Sequence, residues 1–253
     1  MGVEETSGRL CLAQTLVERV SDCIEGAIVG GSVGYGNANA GSDIDLPVLA
    51  IPERAWEAIR RLGFVAPSEA QVLFRTREID CLYLSDVLGG IEVNCFIYDP
   101  DAYSNFVSAA TQDGLRIFRS KKPRDMIRNP GFDGVPLEIH REVQEVSGGY
   151  VYRMPTLAGG NWYMAAVRQD YFCSGKILFQ RDGRLAALEQ AVWTSAIAHL
   201  VKEHGRDVDL GRFNILNAHW THHNKPGRLP ESVARGIVER TKKELEKYLR
   251  SQQ

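Results

Sequence analysis

Between Gly30 and Val48 the chain reads Gly-Gly-Ser-Val-Gly-Tyr-Gly-Asn-Ala-Asn-Ala-Gly-Ser-Asp-Ile-Asp-Leu-Pro-Val, and this stretch restricts the fold more than any other. Glycines at 30, 31, 34, 36 and 41 let the backbone turn tightly and approach a ligand with no side chain in the way. Exposed backbone N–H groups there, together with the Ser32 hydroxyl, suit an anion such as a triphosphate. Asp43 and Asp45 follow within an apolar run. On a strand, residues i and i+2 project from the same face, so both carboxylates aim at one place while Ile44 and Leu46 turn to the core. Ionised carboxylates so close repel each other unless a divalent cation lies beside them. Oxygen donors suit Mg²⁺, which also takes substrate phosphates as ligands.

Other glycine-loop readings fit less well. No GxxxxGKS/T is present, and Asn39 stands where a GxGxxG begun at Gly34 and Gly36 needs its third glycine. A glycine-rich loop ending in an aspartate-capped turn is the plainer alternative. Pro47 adds a constraint: it has no N–H for a ladder, so it calls for a strand end, an edge or a bulge.

Around this stretch, elements of both kinds alternate. Ala13, Leu16, Val17 and Val20 have helical spacing, which predicts a helix over 8–20. Strands are expected over 24–29 and 44–51, and a helix from Pro52 to Leu62. The alternating runs Glu78 to Leu84 and Ile91 to Tyr98 predict an antiparallel hairpin through Gly89 and Gly90, with a connection longer than the tightest turns. Beyond Asn129, Pro130 and Gly131 the pattern turns helical, with helices expected over 160–179, over 184–204 with Gly205 as the stop, and over 231–249. The expected fold is α+β: a mixed sheet flanked by helices in residues 1–125, then a C-terminal helical bundle domain in 126–253.

Composition removes several classes of function. With Lys+Arg 30 against Asp+Glu 32 the net charge is -2, which lacks the basic excess of a general nucleic-acid binder. No apolar run reaches the roughly 18 residues of a spanning helix. Met1 to Glu5 lacks the basic-then-apolar order of a signal peptide. Five widely spaced cysteines without a CxxC read as reduced thiols of a cytoplasmic protein. Basic runs do occur at Arg119, Lys121, Lys122 and Arg124 and again at Lys242 and Lys243, the second interleaved with Glu239, Glu244 and Glu246 as on a solvated helix face. The cluster His219, His222 and His223 matches no usual zinc spacing and reads as a polar loop. Trp162, Tyr163, Tyr171 and Phe172 read either as core or as an aromatic wall for a ligand.

Gly31-Ser32, ten intervening residues and then Asp43-Ile44-Asp45-Leu46 resemble the signature of the DNA polymerase β-type nucleotidyltransferase superfamily. The resemblance implies transfer of a nucleoside monophosphate from an NTP, ATP foremost, with pyrophosphate released and two Mg²⁺ ions assisting. It implies Asp43 and Asp45 as metal ligands, Gly31, Ser32 and Ser42 at the nucleotide, and a third carboxylate on a later strand. Glu92, in Gly90-Ile91-Glu92-Val93-Asn94-Cys95-Phe96, is the best match, with Asp80 the rival, and it either joins Asp43 and Asp45 as a metal ligand or removes the acceptor's proton. Alternation puts Glu92, Asn94 and Phe96 on one face.

A narrower resemblance is to the aminoglycoside nucleotidyltransferases of the kanamycin type, where a helix carries a Gly-Lys whose lysine meets the nucleotide phosphates. Gly175-Lys176 matches it. Those enzymes have a glutamate as general base one turn earlier; this chain has Phe172 there, with Asp170 off that face, so Glu92 becomes the base to expect. The implied partners are an NTP and a small hydroxyl-bearing acceptor such as an antibiotic, with neither nucleic acid nor membrane, and homodimerisation left open. Two alternatives stay in view: a toxin-like nucleotidyltransferase acting on RNA or protein, and a non-catalytic nucleotide-binding protein.

Overall fold

The computed structural model describes residues 2–65, 72, 74–76, 81–101, 103–104, 143–146, 149–152, 175–208 and 231–253. Its elements, in chain order, are α1 (Gly2–Glu18), β1 (Gly26–Val29), α2 (Gly31–Tyr35), β2 (Ile44–Leu49), α3 (Pro52–Leu62), β3 (Cys81–Leu88), β4 (Ile91–Tyr98), β5 (Val143–Val146), β6 (Gly149–Tyr152), β7 (Lys176–Gln180), α4 (Arg184–His204) and α5 (Glu231–Ser251). The strands form one mixed sheet in the order β5-β6-β3-β4-β2-β1-β7. Among the described residues only β2 and β4 run parallel; the remaining pairings are antiparallel. The class is α+β, as expected. Among the described residues no helix is long and apolar enough to cross a membrane.

Alternation divides the sheet into two unlike faces. Ala27, Val29, Ile44, Leu46, Val48, Leu82, Leu84, Val93, Cys95 and Ile97 share one core with Ala13, Leu16, Val17 and Val20 of α1 and Ala55, Ala58, Ile59 and Leu62 of α3. α3 has the bounds the sequence predicts for local reasons. Pro52 stands at the first helical position, where its missing N–H costs nothing, and Gly63 ends the helix at φ 98. The opposite face carries Asp45 and Asn94, which lie side by side in the β2–β4 register. At its far end Leu185 of α4 packs so closely on β1 that a Cβ on Gly26 would lie 2.6 Å from its Cδ1.

Three local expectations are corrected. The β3–β4 connection is as short as hairpins allow: Leu88 pairs with Ile91, and Gly89 and Gly90 take φ 58 and 80. Two positive φ values in a row suit the right-handed twist of the flanking strands, and glycine adopts them without strain. Pro47 sits inside a central strand, in register with Phe96. The carbonyls of Asp45 and Leu49 accept from Gly30 and Glu25, so the intervening odd position, Pro47, also turns its nitrogen towards β1. The β1–β2 pairing stops short of it, at Gly26↔Leu49 and Ala27↔Val48, and the Gly30 bond to Asp45 lies beyond it in the same register, so the proline leaves a short gap in that ladder. Third, Lys176–Gln180 is strand β7, not the end of a helix, and β5 and β6 also come from the region expected to be helical. An edge of β1 and an edge of β3 needed partners, and more distant chain supplies them.

α4 and α5 match their predicted ranges within two residues. Arg240 joins them, pairing with Glu189 at 3.3 Å and Glu244 at 3.1 Å while its guanidinium lies 5.2 Å from the Trp193 ring centre. The readings placed on Asp80, the basic run at 119–124, the aromatic residues at 162–172 and the histidines at 219–223 lie outside the described residues.

The hairpin provides a clean test. Nothing lies within 4 Å of a Cβ built on Gly90, so Gly90→Ala suffers only from its φ of 80. Urea unfolding is expected to show a loss of about 1 kcal/mol. No loss would mean that the turn adopts another geometry.

Candidate functional site

β1 runs into the glycine turn directly, and the turn is fastened to β2. The Gly30 N–H donates to the Asp45 carbonyl at 2.9 Å, and Gly31 then takes φ 55 to start the short helix α2. The Asp45 side chain occupies the room that glycine leaves: a Cβ on Gly31 would lie 2.1 Å from Asp45 Oδ2. Glycine is therefore demanded twice at position 31, by backbone angle and by the carboxylate resting on it.

The chain leaves α2 through Gly36 at φ 82 and folds into a small self-bonded loop. The Asn39 N–H donates to Ser42 Oγ at 3.0 Å, the Ser42 N–H to the Asn39 carbonyl at 2.9 Å, and the Gly41 N–H to Asn39 Oδ1 at 2.9 Å. Ser42 is consequently buried, shaping the loop from inside, whereas Ser32 is half-exposed on the first turn of α2. Asp43 follows at once, and Asn94 of β4 donates to its Oδ2 at 2.7 Å. Asp43 and Asp45 are both half-buried, open enough to bind and closed enough to be held.

The paired aspartates and the glycine turn thus come together as the spacing implies. Glu92 lies one residue before Val93, the partner of Ile44, so the parallel register continues to put it level with Asp43, and it is exposed. Among the described residues no three or more His, Cys, Asp or Glu gather as a metal-ligand group. Lys176 is exposed and in register with Val29, the last residue before the glycine turn. A registered pair shares a face, so Lys176 has the α1 side of the sheet and not the face of Asp45.

Three residues of this neighbourhood carried no role in the sequence reading. Asn94 stood only as a neighbour of Glu92 by alternation, but it is 7% exposed and holds Asp43. Thr6 and Arg9 belong to α1, where Thr6 Oγ1 accepts from the Ala38 N–H and Arg9 binds the loop before Asp43. Their signal was present: 6 and 9 continue, one turn at a time, the stripe of Ala13, Leu16, Val17 and Val20.

Two half-buried carboxylates on one face form an oxygen-only donor pair. That fits a hydrated Mg²⁺, which is commonly held by one or two carboxylates and completed by water and substrate phosphates. Neither the protein-family models nor the curated proteins compared with this chain match it.

The close contact at Gly31 is directly testable. Gly31→Ala is expected to lose about 2–4 kcal/mol of stability, the sum of a disfavoured φ and an overpacked carboxylate. Gly41→Ala, whose Cβ would meet only Asn39 Oδ1 at an ordinary 3.5 Å, is the control and should lose far less. Equal losses in urea titrations would contradict the tight seat of Asp45.

Proposed function

We propose that this chain is a Mg²⁺-dependent nucleotidyltransferase that moves a nucleoside monophosphate from an NTP, ATP foremost, to a hydroxyl of a small molecule. The observation that carries the reading is the seating of Asp45 on Gly31 with Asp43 beside it under Asn94. It joins a turn able to receive phosphates to a pair of carboxylates able to hold a cation, within one local structure. Asp43 and Asp45 hold the metal, which when bound offsets the negative charge of the reacting phosphates.

Gly31 and Ser32 receive the triphosphate. The acceptor hydroxyl oxygen attacks the α-phosphorus, the bond from that phosphorus to the bridging oxygen breaks, and pyrophosphate leaves. Glu92 takes the hydroxyl proton. Its exposure and its register with Asp43 support that role, since a base must reach the acceptor. Asn94, donating to Asp43 Oδ2, orients that carboxylate. Lys176, on the other face, takes no part in this scheme.

The helical half belongs to the same reading: α4 and α5 form part of a bundle that closes a cleft for nucleotide and acceptor. The packing of Leu185 on Gly26, on the Asp45 side of the sheet, supports it. An antibiotic is one acceptor class of suitable size, and holding both reactants in line supplies much of the rate.

The test starts with donor binding, which needs no acceptor. Thermal unfolding with Mg²⁺ and each NTP is expected to show stabilisation by one nucleotide, about 2.7 kcal/mol at 100 times its Kd. Asp43→Asn should lose most of that shift. With an acceptor in hand, Asp45→Asn should reduce pyrophosphate release at least about 100-fold, equivalent to about 2.7 kcal/mol of transition-state stabilisation. Full transfer by Asp45→Asn would refute the assignment. Nucleotide-dependent stabilisation with no pyrophosphate release across a wide panel of hydroxyl compounds would replace the transferase with a nucleotide-binding protein.

A further inference from the structure

We infer that Arg9 is a positioning residue of the paired-aspartate site, setting the direction in which Asp43 is presented to a cation. The inference rests on the reading of Asp43 and Asp45 as the cation ligands. Arg9 lies on α1, 5% exposed, with its guanidinium directed into the loop before Asp43. Nε donates to the Ser42 carbonyl at 2.7 Å and Nη2 to the Ala40 carbonyl at 2.8 Å. Nη1 turns back to the Glu5 carboxylate one helical turn earlier, and also lies 3.4 Å from the Glu5 carbonyl.

The Ser42 carbonyl belongs to the planar peptide that leads into Asp43, so fixing its direction fixes the plane from which Asp43 departs. The loop holds its own shape through Asn39 and Ser42. Its attachment to α1 comes from side chains of that helix. Arg9 supplies two bonds, and Thr6 adds a third by accepting from the Ala38 N–H. At the other end Asn94 holds the Asp43 carboxylate. Backbone and side chain of Asp43 are thus fixed from opposite sides, by α1 and by β4.

A cation is a poor choice for merely packing a helix, since a buried charge is desolvated and apolar residues often serve as well or better. A planar fork that can meet two carbonyls and a carboxylate together is a reason for arginine in particular, which lysine, with one nitrogen, cannot reproduce.

The experiment compares the full-length wild type with Arg9→Lys and Arg9→Gln by backbone amide exchange, Mn²⁺ titration followed by electron paramagnetic resonance, and thermal unfolding. Arg9→Lys keeps the charge beside Glu5 and is the variant that folds if Arg9→Gln does not. Expected are faster exchange in residues 38–43 with unchanged exchange in α3 and β4, and Mn²⁺ affinity lower by about tenfold or more. With an acceptor known, kcat should fall while the KM for nucleotide stays within about threefold. Mn²⁺ affinity within twofold of wild type, despite a loosened loop, would overturn the inference and leave Arg9 a structural residue. Unchanged exchange in 38–43 would overturn it too, by showing that Arg9 does not hold the loop. Failure of the wild type to bind Mn²⁺ at all would instead overturn the cation reading of Asp43 and Asp45, and this inference with it.

Discussion

A carboxylate rests where a side chain would otherwise be. Asp45 Oδ2 occupies the space above Gly31, and the Asp45 carbonyl takes the Gly30 N–H, so β2 and the glycine turn are joined through a single residue. Everything around the site depends on that contact. The turn can leave β1 abruptly because position 31 accepts φ 55, and the aspartate can stay on the sheet because no Cβ displaces it. A change on either side of the contact disturbs the other.

The sheet turns this local contact into a site by keeping its two faces chemically distinct. One face is closed by α1 and α3 over a continuous apolar layer that includes Ile44, Leu46 and Val48. Asp45 of the same strand and Asp43 just before it are thereby committed to the other face, and slipping by one residue would turn both carboxylates to the core. The parallel partner β4 contributes in the same way: Val93, Cys95 and Ile97 enter the core while Asn94 reaches Asp43. Apolar burial on one side thus sets the polar geometry on the other. α1 extends the principle along its own length, with apolar residues from Ala13 to Val20 packing the sheet and Thr6 and Arg9 on the same stripe holding the loop.

Local signals were dependable wherever the physics was local. Pro52 and Gly63 bound α3 and Gly205 follows α4, because each acts through its own backbone angles. Reading failed where distant chain supplied the partner. Lys176 to Gln180 lies in an edge strand because β1 offers an unpaired edge, and no property of those five residues announces which edge they will meet. Pro47 looked misplaced because its strand reads as central. Its missing N–H leaves only a short gap in the ladder with β1, flanked by the bonds to the Leu49 and Asp45 carbonyls, a fact of pairing and not of composition.

What the sequence determined by itself was the pairing of flexibility with charge: glycines at the turn, carboxylates two apart, and an apolar residue between them that fixes which way they face. Alternation along one strand needs no knowledge of the rest of the chain. What only the tertiary structure decided was which groups hold that arrangement in place. Asn94 reaches Asp43 across 51 residues and Arg9 reaches Ser42 across 33. Such bonds depend on strand register and helix docking, which arise when the whole core closes, and so no local pattern could specify them.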